Sequence, residues 1–270
     1  MKKNTGYIIG LALAGLVLVA SCGGGKSDDP NHIKVGVETG PEYSVALKAK
    51  EVAKERYGLE VELVAFNDYV MPNTALDQGD LDANAFQHGL YLEEQSRQRG
   101  YRFVPVGKTF LYPIGAYSRK ISSIDELKEG NTIAIPNDIT NGGRALLLLQ
   151  KAGLLTLRDS TTATPRVVDI TGNPKRLKIV ELEAPQLPRV LDDASVTIAV
   201  INSTFAIQAG LFLDNALLIE DKDSPYVNLI VAREDNKDAD KVKRFVKAYQ
   251  SDEVARMAEQ EFKGGAVRGW

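Results

Sequence analysis

The sequence predicts an α/β protein built as two α/β units in series. Three observations carry that prediction. Short apolar runs alternate with segments of helical spacing from residue 33 onward, the alternation restarts near residue 123, and two amphipathic helices return at the C-terminus.

In the first unit, Ile33–Val37 is a β run, and Tyr43 to Tyr57 carries helical spacing at Val45, Leu47, Ala49, Val52 and Ala53, with Gly58 past its end. Leu59 to Phe66 alternates apolar and acidic residues as a half-buried strand does. Asp68 is placed to cap a helix running to Gln78, and a third strand follows at Ala83–Phe86. Leu90 to Arg99 is helical, and Phe103–Lys108 and Leu111–Ser118 are strands. In the second unit Ser123 caps a short helix, Thr132–Pro136 is a buried strand, and Asn141 caps a helix from Arg144 to Ala152. Strands are expected at 166–170, 178–182, 196–201, 216–219 and 227–232, with closing helices at 238–250 and 252–262. Such an order suits two lobes, with Leu111–Ser118 and Val227–Ala232 crossing between them. Lobe I would comprise 32–113 plus 227–270, and lobe II 114–226.

The N-terminus sets the compartment. Lys2 and Lys3 precede an apolar stretch from Tyr7 to Ala20, about 14 residues and too short to span a membrane. It ends in Val19-Ala20-Ser21-Cys22, and Cys22 is the only cysteine of the 270-residue chain. This is the pattern of a bacterial lipoprotein signal. Residues 1–21 would be removed, Cys22 acylated, and 22–31 would form a polar tether from a cell-envelope membrane. No intramolecular disulfide is possible, and no basic patch with interleaved aromatics points to nucleic acid. With His32 and His88 as the only histidines, a zinc or manganese site has few ligands to draw on. Nucleophile elbow, P-loop and dinucleotide fingerprint are all missing, which argues against an enzyme, and no cofactor is called for.

Four ordered segments then carry a family resemblance: Phe66-Asn67-Asp68-Tyr69-Val70-Met71-Pro72-Asn73-Thr74-Ala75-Leu76, Asp82-Ala83-Asn84-Ala85-Phe86-Gln87-His88, Pro136-Asn137-Asp138-Ile139-Thr140-Asn141-Gly142-Gly143-Arg144-Ala145-Leu146, and Ala199-Val200-Ile201-Asn202 with Ala206 to Gly210. The second runs on through Gly89-Leu90-Tyr91-Leu92 and the third through Leu149. All four resemble the FxDYxxPNxAL, DANxFQHxPYL, PNDxTNxGRALxLL and AVIN…A…AG motifs of the methionine-binding lipoproteins of ABC importers, the NlpA-like family. The chain departs from that pattern at Gly89-Leu90 and in the loop Glu38 to Tyr43. The resemblance implies a type II periplasmic-binding-protein fold around a ligand cleft. It also implies methionine as ligand, and a separate permease and ATPase as partners. Another small amino acid or a short methionyl peptide is the alternative cargo. A monomer is expected.

The residues can be weighed for that task. A free amino acid needs a carboxylate donor, ammonium acceptors and a side-chain lining. Arg144, at the start of a helix behind two glycines, offers a planar fork to a carboxylate; the plain alternative is a solvated arginine. Asn202, at a strand end, and Asn228, within a crossing strand, offer acceptors, or else serve as turn or bulge residues. Asn141 is either a ligand contact or only a helix cap. Tyr69, Phe86, His88 and Tyr91, with Phe66, would line the thioether, since sulfur packs well on aromatic edges; each alone could as well be core.

Overall fold

The computed structural model describes residues 29–159 and 162–270. The signal segment, Cys22 and most of the tether therefore lie outside the described residues.

The chain opens with β1 (His32–Glu38), where Ile33, Val35 and Val37 are fully buried on one face, the two-residue period of a strand. Helix α1 (Pro41–Tyr57) follows and buries Val45, Ala46, Ala49, Val52 and Ala53, one stripe at helical spacing. It starts two residues earlier than its spacing predicts, because Pro41 is already set for the first helical position. It stops at Gly58, whose φ of 59° lets its N–H return to the carbonyl of Lys54. Next come β2 (Glu60–Phe66), α2 (Met71–Asp77), β3 (Ala83–His88), α3 (Gly89–Arg99) and β4 (Phe103–Lys108). The expected continuous strand 111–118 is two short pieces, β5 (Phe110–Leu111) and β6 (Gly115–Tyr117), broken around Pro113, which cannot donate to a ladder.

The second unit contains β7 (Thr132–Pro136), α4 (Ile139–Lys151), β8 (Thr156–Leu157), β9 (Ile170–Gly172), β10 (Lys178–Leu182), β11 (Ile198–Ile201), α5 (Ser203–Gln208) and β12 (Leu218–Ile219). The strand expected at 166–170 is mostly a 3-10 turn over Val167–Asp169. Val167 and Ile170 pack against the second core, but Val168 between them is 69% exposed, so the run does not alternate as a half-buried strand does. The chain closes with β13 (Asn228–Arg233), α6 (Asp240–Tyr249), α7 (Asp252–Glu261) and β14 (Val267–Arg268).

Two five-stranded sheets result, in the orders β2-β1-β3-β13-β4 and β10-β7-β11-β6-β12. In each, the early strands are parallel and one strand is antiparallel to its neighbours: β13 between β3 and β4, and β6 between β11 and β12. The chain passes from the first sheet to the second through residues 109–114 and returns through 220–227. Helices α1, α6 and α7 cover the first sheet with Val45, Val242, Phe245 and Val254, packed on Val35 and Val37. In the second, Ile133, Ile135, Ile198 and Val200 meet Leu146 and Leu149 of α4. Each such side chain contributes about 1.5–3 kcal/mol by leaving water. That burial holds the fold in the absence of any possible disulfide.

Candidate functional site

One cavity lies where the carboxyl ends of β3 and β11 face each other, with roughly 370 Å³ of space including its mouth. Open α/β sheets place ligand sites at such strand ends. Three segments carry the aromatic wall on its first-sheet side. The loop after β2 is shaped by Asp68, whose Oδ1 accepts from the backbone N–H of Val70 (2.7 Å) and Met71 (2.8 Å), and this presents Tyr69. The end of β3 brings Phe86, Gln87 and His88, and α3 brings Tyr91. The rings form one cluster. Tyr69 lies 5.9 Å from Phe86 and 6.1 Å from Tyr91, and Phe86 meets Tyr91 edge-on at 6.0 Å. Tyr91 also donates its hydroxyl to the carbonyl of Tyr69 at 2.7 Å.

A buried amide lock stands behind this wall. Asn73 and Gln87 exchange hydrogen bonds at 2.9 and 2.7 Å, and Asn84 donates to Asn73 Oδ1 at 2.9 Å. Fully satisfied amides of this kind fix position as well as adding stability. They explain why Asn73, Asn84 and Gln87 accompany the aromatic residues in the first two sequence motifs.

His88 caps α3 by accepting Tyr91 N–H at Nδ1 (3.1 Å), and its Nε2 faces Asn141 Oδ1 at 3.4 Å. With Nδ1 an acceptor, Nε2 carries the proton. Burial, and then the charge of Arg144, push its pKa down to about 3 against the opposing hydrogen bond to Asn141. The imidazole is therefore neutral at physiological pH.

Helix α4 supplies the second-sheet side. It begins at Ile139, and Asp138 rather than Asn141 is its cap, accepting Asn141 N–H at 2.9 Å. Asn141 is thereby released to the cavity, where its Oδ1 accepts from Asn202 Nδ2 at 2.9 Å while its own Nδ2 is held by Asp138. Arg144 consequently sits in the second turn, not the first, and the helix start is closed by a carboxylate. The two glycines before it serve packing rather than ligand approach. A Cβ at Gly142 would stand 2.7 Å from the carbonyl oxygen of Pro136, and one at Gly143 would stand 2.9 Å from Cα of Thr164.

Arg144 is 4% exposed and turns into the cavity. Its fork is already engaged: Nε donates to Glu220 Oε1 at 2.7 Å, and Nη2 donates to Glu220 Oε2 and to the carbonyl of Tyr112 at 3.0 Å. The Tyr226 ring covers the guanidinium at 4.4 Å. Thus the paired Nε/Nη2 edge expected to face a carboxylate faces Glu220, which leaves the Nη1 edge. Glu220 is itself braced by Ser224 Oγ at 2.9 Å and by the N–H of Ile114 at 3.3 Å.

Asn202 closes β11, and among the described residues its buried Oδ1 has no hydrogen-bond partner. Asn228 lines the cavity from β13, donates to the carbonyl of Phe86 at 3.0 Å and hydrogen-bonds Glu42. Eight of the nine residues expected at the cleft therefore converge there. Phe66 does not: it packs with Leu76, Leu81, Leu92 and Val231 in a separate apolar cluster under α2.

Sequence reasoning missed Glu42, Tyr112, Ser203, Thr204 and Glu220. Glu42 is 3% exposed in the first turn of α1, and its Oε1 accepts from Thr204 Oγ1 of α5. Burial drives its pKa up to about 8 against the lowering hydrogen bonds from Thr204 and Asn228. An acidic residue there reads simply as a favourable partner of the helix dipole, so its sequence context hides it. Ser203 and Thr204 directly follow Asn202 and could have been taken with it. Glu220 is far from Arg144 in the chain, and nothing local announces the pair.

The two sides touch in several places: Thr204 to Glu42, His88 to Asn141, Tyr69 to Phe205 at 5.1 Å, and Gln208 Nε2 to the carbonyl of Thr39 at 3.0 Å. The lobes are thus closed on the cavity. Among the described residues no group of three or more His, Cys, Asp or Glu could hold a metal ion.

Two α/β lobes, joined by two crossings and closed over one cavity at their strand ends, define a type II periplasmic-binding-protein fold. Comparisons with known proteins agree. A crystal structure of the methionine-binding protein MetQ superposes with a TM-score of 0.88 at 62% identity, covering 90% of this chain and 99% of that one. A nutrient-binding protein from Burkholderia cenocepacia, solved with methionine bound, does so at 0.85 and 49% identity, covering 88% of this chain and all of the other. The D-methionine-binding lipoprotein MetQ of Salmonella typhi is 62% identical over 260 residues, 96% of each chain. The family model for NlpA lipoproteins matches residues 33–270, and the chain belongs to that family.

Proposed function

We propose that this protein is the substrate-binding lipoprotein of an ABC importer, that it captures methionine between its lobes, and that it hands the ligand unchanged to a separate permease driven by its own ATPase. The observation that carries this reading is the pairing, in one closed cavity, of a guanidinium with a cluster of rings. In this reading the ligand carboxylate meets the Nη1 edge of Arg144. The ammonium is received by Glu42 and by Asn202 Oδ1, with Asn228 and Asn141 holding those acceptors in place. Tyr69, Phe86, His88 and Tyr91 line the thioether. The residues of lobe I, 32–113 and 227–270, close on those of lobe II, 114–226, by rotation about the two crossings, and ligand shifts the population toward the closed form. The protein acts as a monomer, anchored through acylated Cys22 to a cell-envelope membrane, facing the periplasm or the cell surface.

Titration calorimetry with L-methionine, D-methionine, alanine and a methionyl dipeptide tests the cargo. Methionine is expected to bind at least tenfold more tightly than alanine or the dipeptide, and preference for either of those would overturn the assignment. Cys22→Ser should move the protein from the membrane fraction to the soluble one; unchanged fractionation would remove the lipid anchor from the account.

A further inference from the structure

The cavity is unevenly balanced in charge. Its guanidinium, Arg144, is matched within the chain by Glu220. Its carboxyl, Glu42, is matched by no cation. Glu42 meets a hydroxyl from Thr204 and the amide of Asn228, and among the described residues it forms no ion pair. Behind it, at the end of β1, Glu38 is fully buried, and among the described residues neither of its oxygens has a hydrogen-bond partner. Burial, then the charges of Glu42 and Asp68, hold the Glu38 carboxyl far above the usual carboxylate range. Two carboxyls out of water with no cation between them do not both ionise.

The other ionisable groups around Glu42 do not relieve this. His88 on β3 is neutral. Tyr69, Tyr91, Tyr112 and, on α6, Tyr249 are pushed further from ionising by burial, and the charge of Glu42 adds to that for Tyr69, Tyr112 and Tyr249. Asp68 and Asp138 add only negative charge and are committed to turning the β2–α2 loop and capping α4.

We propose that ligand capture is a cation-for-proton exchange at Glu42: the ligand-free protein carries a proton on this carboxyl, and the ligand's ammonium displaces it to solvent. The step balances. The Glu42 O–H bond breaks, the proton leaves to water, and the carboxylate pairs with the incoming –NH3⁺; the zwitterion brings no net charge, so the complex is one unit more negative than the free protein, and that charge is the ligand carboxylate beside Arg144. Glu38 keeps its own proton throughout and supplies a neutral floor. The exchange makes the positive end of the ligand, rather than its carboxylate, the main source of charge selectivity, because Arg144 is already neutralised. This inference rests on the cavity being an amino-acid site.

The test is titration calorimetry of the full-length protein in detergent with L-methionine. Two buffers of different ionisation enthalpy are compared near pH 7, and affinity is followed from about pH 6 to about pH 8. A carboxyl titrating near 8 predicts close to one proton released at neutrality and an affinity that tightens about 50-fold across that range. The des-ammonium analogue, the 2-hydroxy acid of methionine, should bind far more weakly and release no proton. Glu38→Gln should still release the proton, whereas Glu42→Gln should weaken binding and flatten the pH profile. Tight methionine binding with no proton release, or an affinity independent of pH, would overturn the exchange alone. Failure of methionine to bind at any pH would overturn the functional reading along with it.

Discussion

Arg144 and Glu42 are both buried, both face the same cavity, and come from opposite lobes. Arg144 arrives with its counter-ion built in: Glu220 takes the Nε/Nη2 edge, Tyr112 adds a carbonyl, and Tyr226 covers the plane. Glu42 arrives with polar neutral neighbours, and Glu38 behind it has none. A charge paired within the chain is part of the fold whether or not anything is bound. An acidic group left without a cation is open to whatever cation enters. The same cavity thus mixes a group whose loss should be felt first as instability with one whose loss should be felt first as weak binding.

The largest effect should come from breaking the internal pair. Arg144→Ala leaves the Glu220 carboxyl nearly buried without its cation, and breaking a buried pair by removing one partner typically costs about 3–5 kcal/mol. Denaturant unfolding should show that loss without any ligand, and a variant as stable as wild type would mean the pair adds nothing to the fold. The double variant Arg144→Met/Glu220→Leu should recover much of the stability while methionine binding stays abolished, which separates the two roles of the arginine. A smaller effect is expected at the wall. Phe86→Ala removes ring contacts from the thioether pocket and should weaken methionine by roughly 1–3 kcal/mol, with alanine nearly unaffected. Equal losses for both ligands would return Phe86 to plain core. The smallest concerns the start of α4. Asp138→Ala should cost about 1 kcal/mol of stability, as a lost cap does. A much greater loss of affinity than of stability would show that the cap also fixes Asn141 in the cavity.

Much of this was legible in the chain. The stripe Val45, Ala49, Val52 and the stop at Gly58 define α1, and the alternation in 60–66 defines β2. Tyr69, Phe86, His88 and Asn202 could be named because each sits at or just beyond a strand end, and strand ends of an open sheet converge, while Arg144 could be named as a guanidinium at a helix start within a family motif. What was not legible has physical causes. Asp138 and Asn141 both carry cap chemistry three residues apart, and only the hydrogen bond between them decides which one caps. Helix α5 is six residues long, too short for its period to stand out. Phe66 belongs to the same motif as Tyr69 but lies on the strand face toward Leu76 and Leu81, and such a choice of face is settled only by packing. The partnership of Arg144 with Glu220 depends on the return crossing, which no local pattern encodes.

Gly142 directly follows Asn141 and lies two residues before Arg144, with room for a hydrogen but not a methyl against the Pro136 carbonyl. That carbonyl is backbone and cannot swing aside. A Gly142→Ala change would therefore act as a wedge, lifting the helix and tilting the Asn141 and Arg144 side chains at once. Redesign of this protein for other cargo is consequently free to vary the rings of the facing wall, while the spacing between strand β7 and helix α4 is a fixed datum from which everything else in the pocket is measured.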